Sequence, residues 1–177
     1  ARAFDMRVGF YDPYLPNGTE LAHNFTRYRS LNELLAASDA VSIHAPLTDE
    51  TRGMINAKAI AAMKQDAVLV NTARGPICDL KAIHDGLKSG KLGAVGLDVL
   101  PDEPPSLDEP LIRAWRAGEP WIKGRLHISP HAAFYSADAF ADMRRLSMET
   151  AVLYTRDGKL QNCVNGEWLK TRRNWKD

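Results

Sequence analysis

Cysteine is scarce in this chain. Cys78 and Cys163 lie far apart and show no Cys-x-x-Cys or Cys/His ligand spacing, so the sequence indicates neither a disulfide framework nor a zinc site. No bound metal is expected, and a reducing, cytoplasmic setting is. Apolar runs are short. Nothing approaches the roughly 18 uninterrupted apolar residues of a membrane span, and the opening ARAFDMRVGF lacks the long apolar core of a signal peptide. A soluble protein with no membrane partner is the expectation. An excess of either charge is missing too: 23 Lys and Arg stand against 22 Asp and Glu, a formal net charge of +1. Composition therefore makes no case for direct binding of nucleic acid or acidic lipid. The one basic cluster, KTRRNWKD at the end, reads as a solvated tail. Internal repeats and low-complexity linkers are absent, and the Pro-rich LPDEPPSLDEP is too short to separate domains.

What the chain has is alternation. At 177 residues it fits one domain with a substantial core. The short apolar, β-branched runs MRVGFYD, AVSIHA, AVLVNTA, GAVGLDV and RLHISP are separated by segments with helical spacing and helix caps. Such a βαβα pattern predicts an α/β fold built on a parallel sheet. Ser30 and Glu33 in SLNE form a capping box, each placed to satisfy the other's amide. Asp79 sits where an N-cap belongs, and Gly90 is placed to end the helix it starts. The longest helix is expected from Ser136 to about Asp157, with Ala139, Met143, Leu146, Thr150 and Leu153 forming one apolar stripe.

In open α/β sheets ligands sit beyond the carboxyl ends of the strands, and here the residues ending the runs are polar. They are Asp12, then His44, then Asn71, Thr72 and Arg74, then Asp98 with Glu103 soon after, and last His131. Asp12 suits either of two roles. An acidic residue ending the second strand of a dinucleotide-binding half accepts from the ribose hydroxyls of NAD, but an aspartate before Pro13 is also a turn former. The glycine-rich turn that should precede it by roughly 20 residues is missing, since only eleven residues lie upstream. GKLGAVG at 90–96 precedes a strand instead of opening a helix and is no substitute. Arg74 has the fork geometry to hold a carboxylate through two parallel hydrogen bonds, or it forms a surface ion pair. His131 beside a carboxylate such as Glu103 would donate and accept protons near neutrality; alone, it reads as structural.

Taken in order, FYDPYL, VLVNTARG, GLDVLPDEPP and ISPHAAFYS resemble the signature segments of the NAD-dependent D-isomer-specific 2-hydroxyacid dehydrogenases, over about residues 5 to 168. HAAFYS and the later NCVN are most similar to the C-terminal binding protein branch, which includes NAD-sensing corepressors. The resemblance implies a Rossmann-like doubly wound parallel sheet and NAD as cofactor. Its substrate would be a small 2-hydroxy or 2-keto acid, and a homodimer is expected. It implies that Arg74 holds the substrate carboxylate, that His131 is the acid/base at the C2 oxygen, and that Glu103 orients that histidine and favours its protonated form. By the same resemblance Asp12 binds the ribose. Thr72, Ala73 and Asp98 line the nicotinamide end, and Ala45 and Thr51 belong to the loop after the fourth family strand. Phe134 falls where the corepressor branch carries a tryptophan near the substrate.

The chain departs from the family pattern at its start. ARAF reads like the tail of the helix that follows the glycine loop, so residues 1–158 are expected to be a partial, N-terminally incomplete NAD-binding domain lacking its first strand and GxGxxG loop. Residues 159–177 are expected to be a tail returning to a substrate domain. On this reading the 177 residues turn over poorly or not at all by themselves. A corepressor-like module and an inactive remnant dimerising through the 136–157 helix are the alternatives. AWRAGEPWIKGR, longer than the branch requires, is expected to be an insertion on the cleft rim.

Overall fold

A computed structural model describes residues 1–166. The chain divides into two compact units, Ala1–Ala133 and Phe134–Asp177. The first opens with a 3-10 turn at Arg2–Phe4, followed by β1 (Gly9–Phe10), α1 (Thr19–His23), β2 (Thr26–Arg27), α2 (Leu31–Ala37) and β3 (Ala40–Ile43). Next come α3 (Ala57–Ala62), β4 (Ala67–Asn71), a 3-10 turn at Gly75–Ile77 and α4 (Leu80–Lys88), then β5 (Leu92–Leu97), α5 (Pro110–Ala117) and β6 (Leu126–Ile128). Strands β3-β4-β5-β6 form one parallel sheet in chain order, and β1 and β2 form a separate parallel pair with Phe10 opposite Arg27. Each parallel step needs a crossover, which the helices and the loops around them supply. No ladder joins the two sheets among the described residues. All five anticipated runs contain a strand. β2 was not anticipated, because two residues are too few to show a period.

Alternation along the strands divides the sheet into two faces. Val41, Ile43, Leu69, Val95 and Leu97 are buried in one cluster with Leu35 of α2, Ile60 of α3, Ile83 and Leu87 of α4, and Leu111 of α5. The intervening Ser42, Val70, Gly96 and His127 are half-buried or exposed, so the opposite face is more open. The caps follow the sequence with one difference. The Ser30 hydroxyl accepts from the Glu33 amide at 3.2 Å, but the Glu33 carboxylate accepts from the Arg29 amide at 2.8 Å, one residue earlier than a reciprocal box requires. Asp79 caps α4 by accepting from Lys81 and Ala82, and Gly90 ends it with a φ of 78°.

AWRAGEPWIKGR is not on the cleft rim. Its first residues complete α5, and its last, Arg125, lies at the amino ends of β5 and β6, away from the strand tips that carry the polar row. Arg125 donates to the carbonyls of Gly93 at 2.9 Å, Trp121 at 2.8 Å and Leu92. Trp121 meets His84 of α4 edge-on at 5.1 Å. The segment ties the start of β6 to the start of β5.

In the second unit, α6 (Ala137–Asp157) begins at Ser136, whose hydroxyl accepts from the Ala139 amide at 3.0 Å, and ends at Gly158 with a φ of 65°. None of its residues is buried. Arg145 pairs with Asp142 and Glu149, both at 2.9 Å, and Arg144 lies 4.1 Å over the Phe140 ring. No helix of the described residues is long and apolar enough to cross a membrane. Most of the tail expected from residue 159, with all of KTRRNWKD, lies outside the described residues.

Candidate active site

The site is built at the carboxyl ends of β4, β5 and β6. His131 Nδ1 and Glu103 Oε2 are 2.8 Å apart, although 28 residues separate them in the chain. The other carboxylate oxygen, Oε1, accepts from the Leu100 amide at 2.9 Å. Glu103 is thus fixed at both oxygens, one to the main chain and one to the imidazole. These contacts, the His131 bond first and the Leu100 amide second, hold the Glu103 carboxyl below the ordinary carboxylate range. The two side chains remain 42% and 40% exposed, enough for a ligand to reach them.

What aims His131 is Asp98. The carboxylate of Asp98 is buried at 5% exposure and accepts from the Ser129 hydroxyl at 2.6 Å and from the amides of Ala132 and Ala133 at 2.9 Å each. Its carbonyl accepts from the His131 amide at 2.8 Å. The turn so wrapped holds His131 at a φ of 53°, a left-handed conformation in which histidine is one of the more tolerant residues. Burial alone would raise the Asp98 pKa, but the Ser129 hydroxyl, the Ala133 and Ala132 amides and the charge of His131 outweigh it and lower it. A carboxyl with a lowered folded pKa contributes stability above its ordinary range and loses that contribution as pH falls through the lowered value. The contribution of Asp98 to the turn carrying His131 is therefore present in full at neutral pH.

The loop of Arg74 is held by two residues, Asn71 and Gly75. Asn71 is fully buried. Its Oδ1 accepts from the Ala73 amide at 3.0 Å, and its Nδ2 donates to the Arg74 carbonyl at 2.9 Å and to Cys78 Sγ at 3.4 Å. Any of these groups left unpaired would cost about 1–3 kcal/mol. Burial pushes the Cys78 thiol up to about 12, so it is a protonated structural group and no nucleophile. Gly75 packs directly on the backbone of Leu100 and Pro101, where a Cβ would collide. That contact sets the Arg74 loop against the loop that carries Glu103. The Arg74 side chain is exposed, donates to the Ala73 carbonyl at 2.6 Å and forms no ion pair among the described residues.

The remaining candidates fall in a cleft beside this centre, in the loops after β1, β3 and β4, and in the second unit. A cleft of about 350 Å³ is lined by Val70, Thr72, Gly96, Asp98, Ser129 and Ala133, among others. Ala73 is half-buried in the Asn71-held loop. Asp12 sits at the tip of β1, where Oδ1 accepts from the Tyr14 amide at 2.8 Å; it does form a turn, with Oδ2 unengaged among the described residues. Ala45 and Thr51 bound the loop after β3, which Thr51 closes by donating to the Pro46 carbonyl at 2.6 Å and accepting from the Thr48 amide at 2.9 Å. Tyr14 and Glu50 hydrogen-bond, linking the loops after β1 and β3. His44 pairs with Ser42 at 2.9 Å. Phe134 opens the second unit, its ring edge-on to Tyr135 at 6.3 Å. Sequence reasoning missed Ser129 and Gly75 altogether and gave Asn71 no function. Only the polar strand-end position of Asn71 signalled it.

The description "D-isomer specific 2-hydroxyacid dehydrogenase, NAD binding domain" matches residues 1–133. A glyoxylate reductase of Korarchaeum cryptofilum is 36% identical over 172 residues, 97% of this chain and 49% of that protein. Among solved structures, a glyoxylate reductase from Paecilomyes thermophila is 33% identical with a TM-score of 0.78, over 94% of this chain and 47% of that one. A D-lactate dehydrogenase from Aquifex aeolicus, complexed with NAD and lactic acid, is 31% identical with a TM-score of 0.75, over 88% and 48%. The chain thus spans about half the length of these relatives.

Proposed function

This chain belongs to the D-isomer-specific 2-hydroxyacid dehydrogenases, and from that premise we propose that the full-length protein interconverts a 2-keto acid and its D-2-hydroxy acid with NAD. The observation that carries this reading is the His131–Glu103 contact at 2.8 Å, beside a cleft and joined through Gly75 to the loop of Arg74.

The residues present fit the cofactor. Gly96 adds no side chain to the cleft wall, and a Cβ there would meet nothing nearer than Val70 at 3.8 Å, which leaves room for a flat ring against the strand. Thr72, Ala73 and Asp98 are assigned to the nicotinamide end, Ala45 and Thr51 to the loop along the dinucleotide, and Asp12 to the adenosine ribose. When bound, NADH supplies the hydride that carbon 2 of the keto acid receives.

The chain's own groups do the rest. Arg74 turns its guanidinium from the Ala73 carbonyl to the substrate carboxylate and so fixes which face of carbon 2 is presented. With Nδ1 engaged by Glu103, His131 uses Nε2 to give a proton to the carbonyl oxygen as negative charge develops there. In the oxidative direction it takes that proton from the hydroxyl. Glu103 stays ionised, orients the ring and stabilises the imidazolium.

Arg74→Lys tests the anchor. A lysine offers one point charge in place of two parallel hydrogen bonds, and losing a charge-assisted bond worth about 1.5–3 kcal/mol raises KM for the keto acid by roughly 10–100-fold. The NADH dissociation constant stays the same. Steady-state kinetics with a fluorescence titration of NADH reads both, and an unchanged KM contradicts the assignment.

HAAFYS and NCVN favour a second reading, a corepressor-like module whose NAD occupancy controls self-association. Turnover of a small keto acid at rates ordinary for an enzyme, about 1–10³ per second, decides for the dehydrogenase.

A further inference from the structure

Arg27 stands outside every role assigned so far, yet it is among the most heavily engaged side chains of the first unit. It lies on β2, opposite Phe10 in the ladder, with its guanidinium 5.7 Å over the Phe10 ring. From there it reaches past the end of β1 into the loop that Asp12 begins. Nη2 donates to the carbonyls of Leu15 at 2.7 Å and Asp12 at 3.1 Å, and Nη1 donates to the Pro16 carbonyl at 2.9 Å and the Glu20 carboxylate at 3.5 Å. The side chain is only 10% exposed. A guanidinium has five N–H donors, and the four on its two terminal nitrogens are spent within residues 12–20.

We propose that Arg27 is a positioning residue for the dinucleotide. It fixes the loop after β1 so that Asp12 meets an unphosphorylated ribose, while its own charge is consumed inside the protein and is withheld from a 2′-phosphate. This rests on the proposed NAD reading of Asp12. The physical contrast is sharp, because an arginine free at that loop is the usual means of accommodating NADP. Here the arginine is turned inward onto three carbonyls and Glu20, so the same residue type works for the opposite preference. Lysine cannot substitute for it, since one ammonium does not span three carbonyls in a fixed fork.

The test uses Arg27→Lys and Arg27→Met in the full-length protein, with NADH and NADPH dissociation constants from fluorescence titration and hydrogen exchange of the amides of residues 12–20. Both variants are expected to speed exchange in that loop and to shrink the preference for NADH over NADPH by at least about ten-fold, roughly 1.4 kcal/mol. Arg27→Lys keeps the charge and supplies the measurement if Arg27→Met does not fold. Faster exchange with an unchanged preference would make Arg27 a purely structural residue and overturn the proposal. Asp12→Ala separates the two possible failures. If it abolishes the preference while the Arg27 variants keep it, the Arg27 proposal alone falls; if it too keeps the preference, the ribose assignment of Asp12 falls as well.

Discussion

Replacing His131 with glutamine lowers kcat for keto-acid reduction by about 10²–10⁴-fold, the range a positioned proton donor contributes, and leaves the NADH dissociation constant unchanged. Glutamine carries a planar amide about as far out as Nε2, so a neutral hydrogen-bonding group remains on the substrate side, while Glu103 keeps the Leu100 amide as a partner. What disappears is a group that gives a proton to the substrate oxygen and later removes it. The left-handed backbone at this position, with a φ of 53°, puts some strain on any side chain. His131→Asn is therefore measured beside it, because asparagine tolerates that region better than most residues. If both variants lose activity equally while retaining NADH binding, the loss belongs to the proton and not to the turn. A fall of less than about ten-fold in either would remove His131 from the chemistry.

Gly75→Ala is expected to be nearly as damaging at a position with no chemistry of its own. Its Cβ would run into the carbonyl of Leu100 and the nitrogen of Pro101. These are backbone atoms, which cannot rotate aside as a side-chain tip does, so one loop must move. Forcing extra volume into a packed contact costs about 1–3 kcal/mol. The loops driven apart carry Arg74 on one side and Glu103 on the other, and a displacement of about 1 Å in a positioned group costs on the order of 10²-fold in rate. Thermal melting and kcat/KM together check this. A stable variant with normal kcat/KM would show that the close approach of the two loops does not set the site.

These two positions show how far the sequence alone reaches. The contact between His131 and Glu103 was legible because each follows a strand and the family resemblance pairs them, although His131 alone read as structural. The helix caps at Ser30 and Asp79 were legible because capping is local, decided within four residues. Gly75 was not, because its significance is a contact with a segment 25 residues further on, and a glycine carries no side chain to announce it. Arg27 was hidden for a related reason. It sits on a two-residue strand, and its partners are backbone carbonyls, which every sequence contains. Asp98 was read as a residue lining the nicotinamide end. The structure adds that the Ser129 hydroxyl and the Ala132 and Ala133 amides converge on it, a fact of folding that spacing could not supply. The segment ending in Arg125 was misplaced because its length was visible while the end of the sheet it joins was not.

The central claim is that one fixed face of a keto acid receives hydride from NADH while His131 delivers the proton. It is tested most directly by letting the full-length protein reduce a 2-keto acid with NADH carrying deuterium at the reactive C4 position, then separating the 2-hydroxy acid by chiral chromatography and mass. The account predicts a product that is entirely the D isomer with one deuterium at carbon 2. A racemic or L product, or a D product without deuterium, would contradict it.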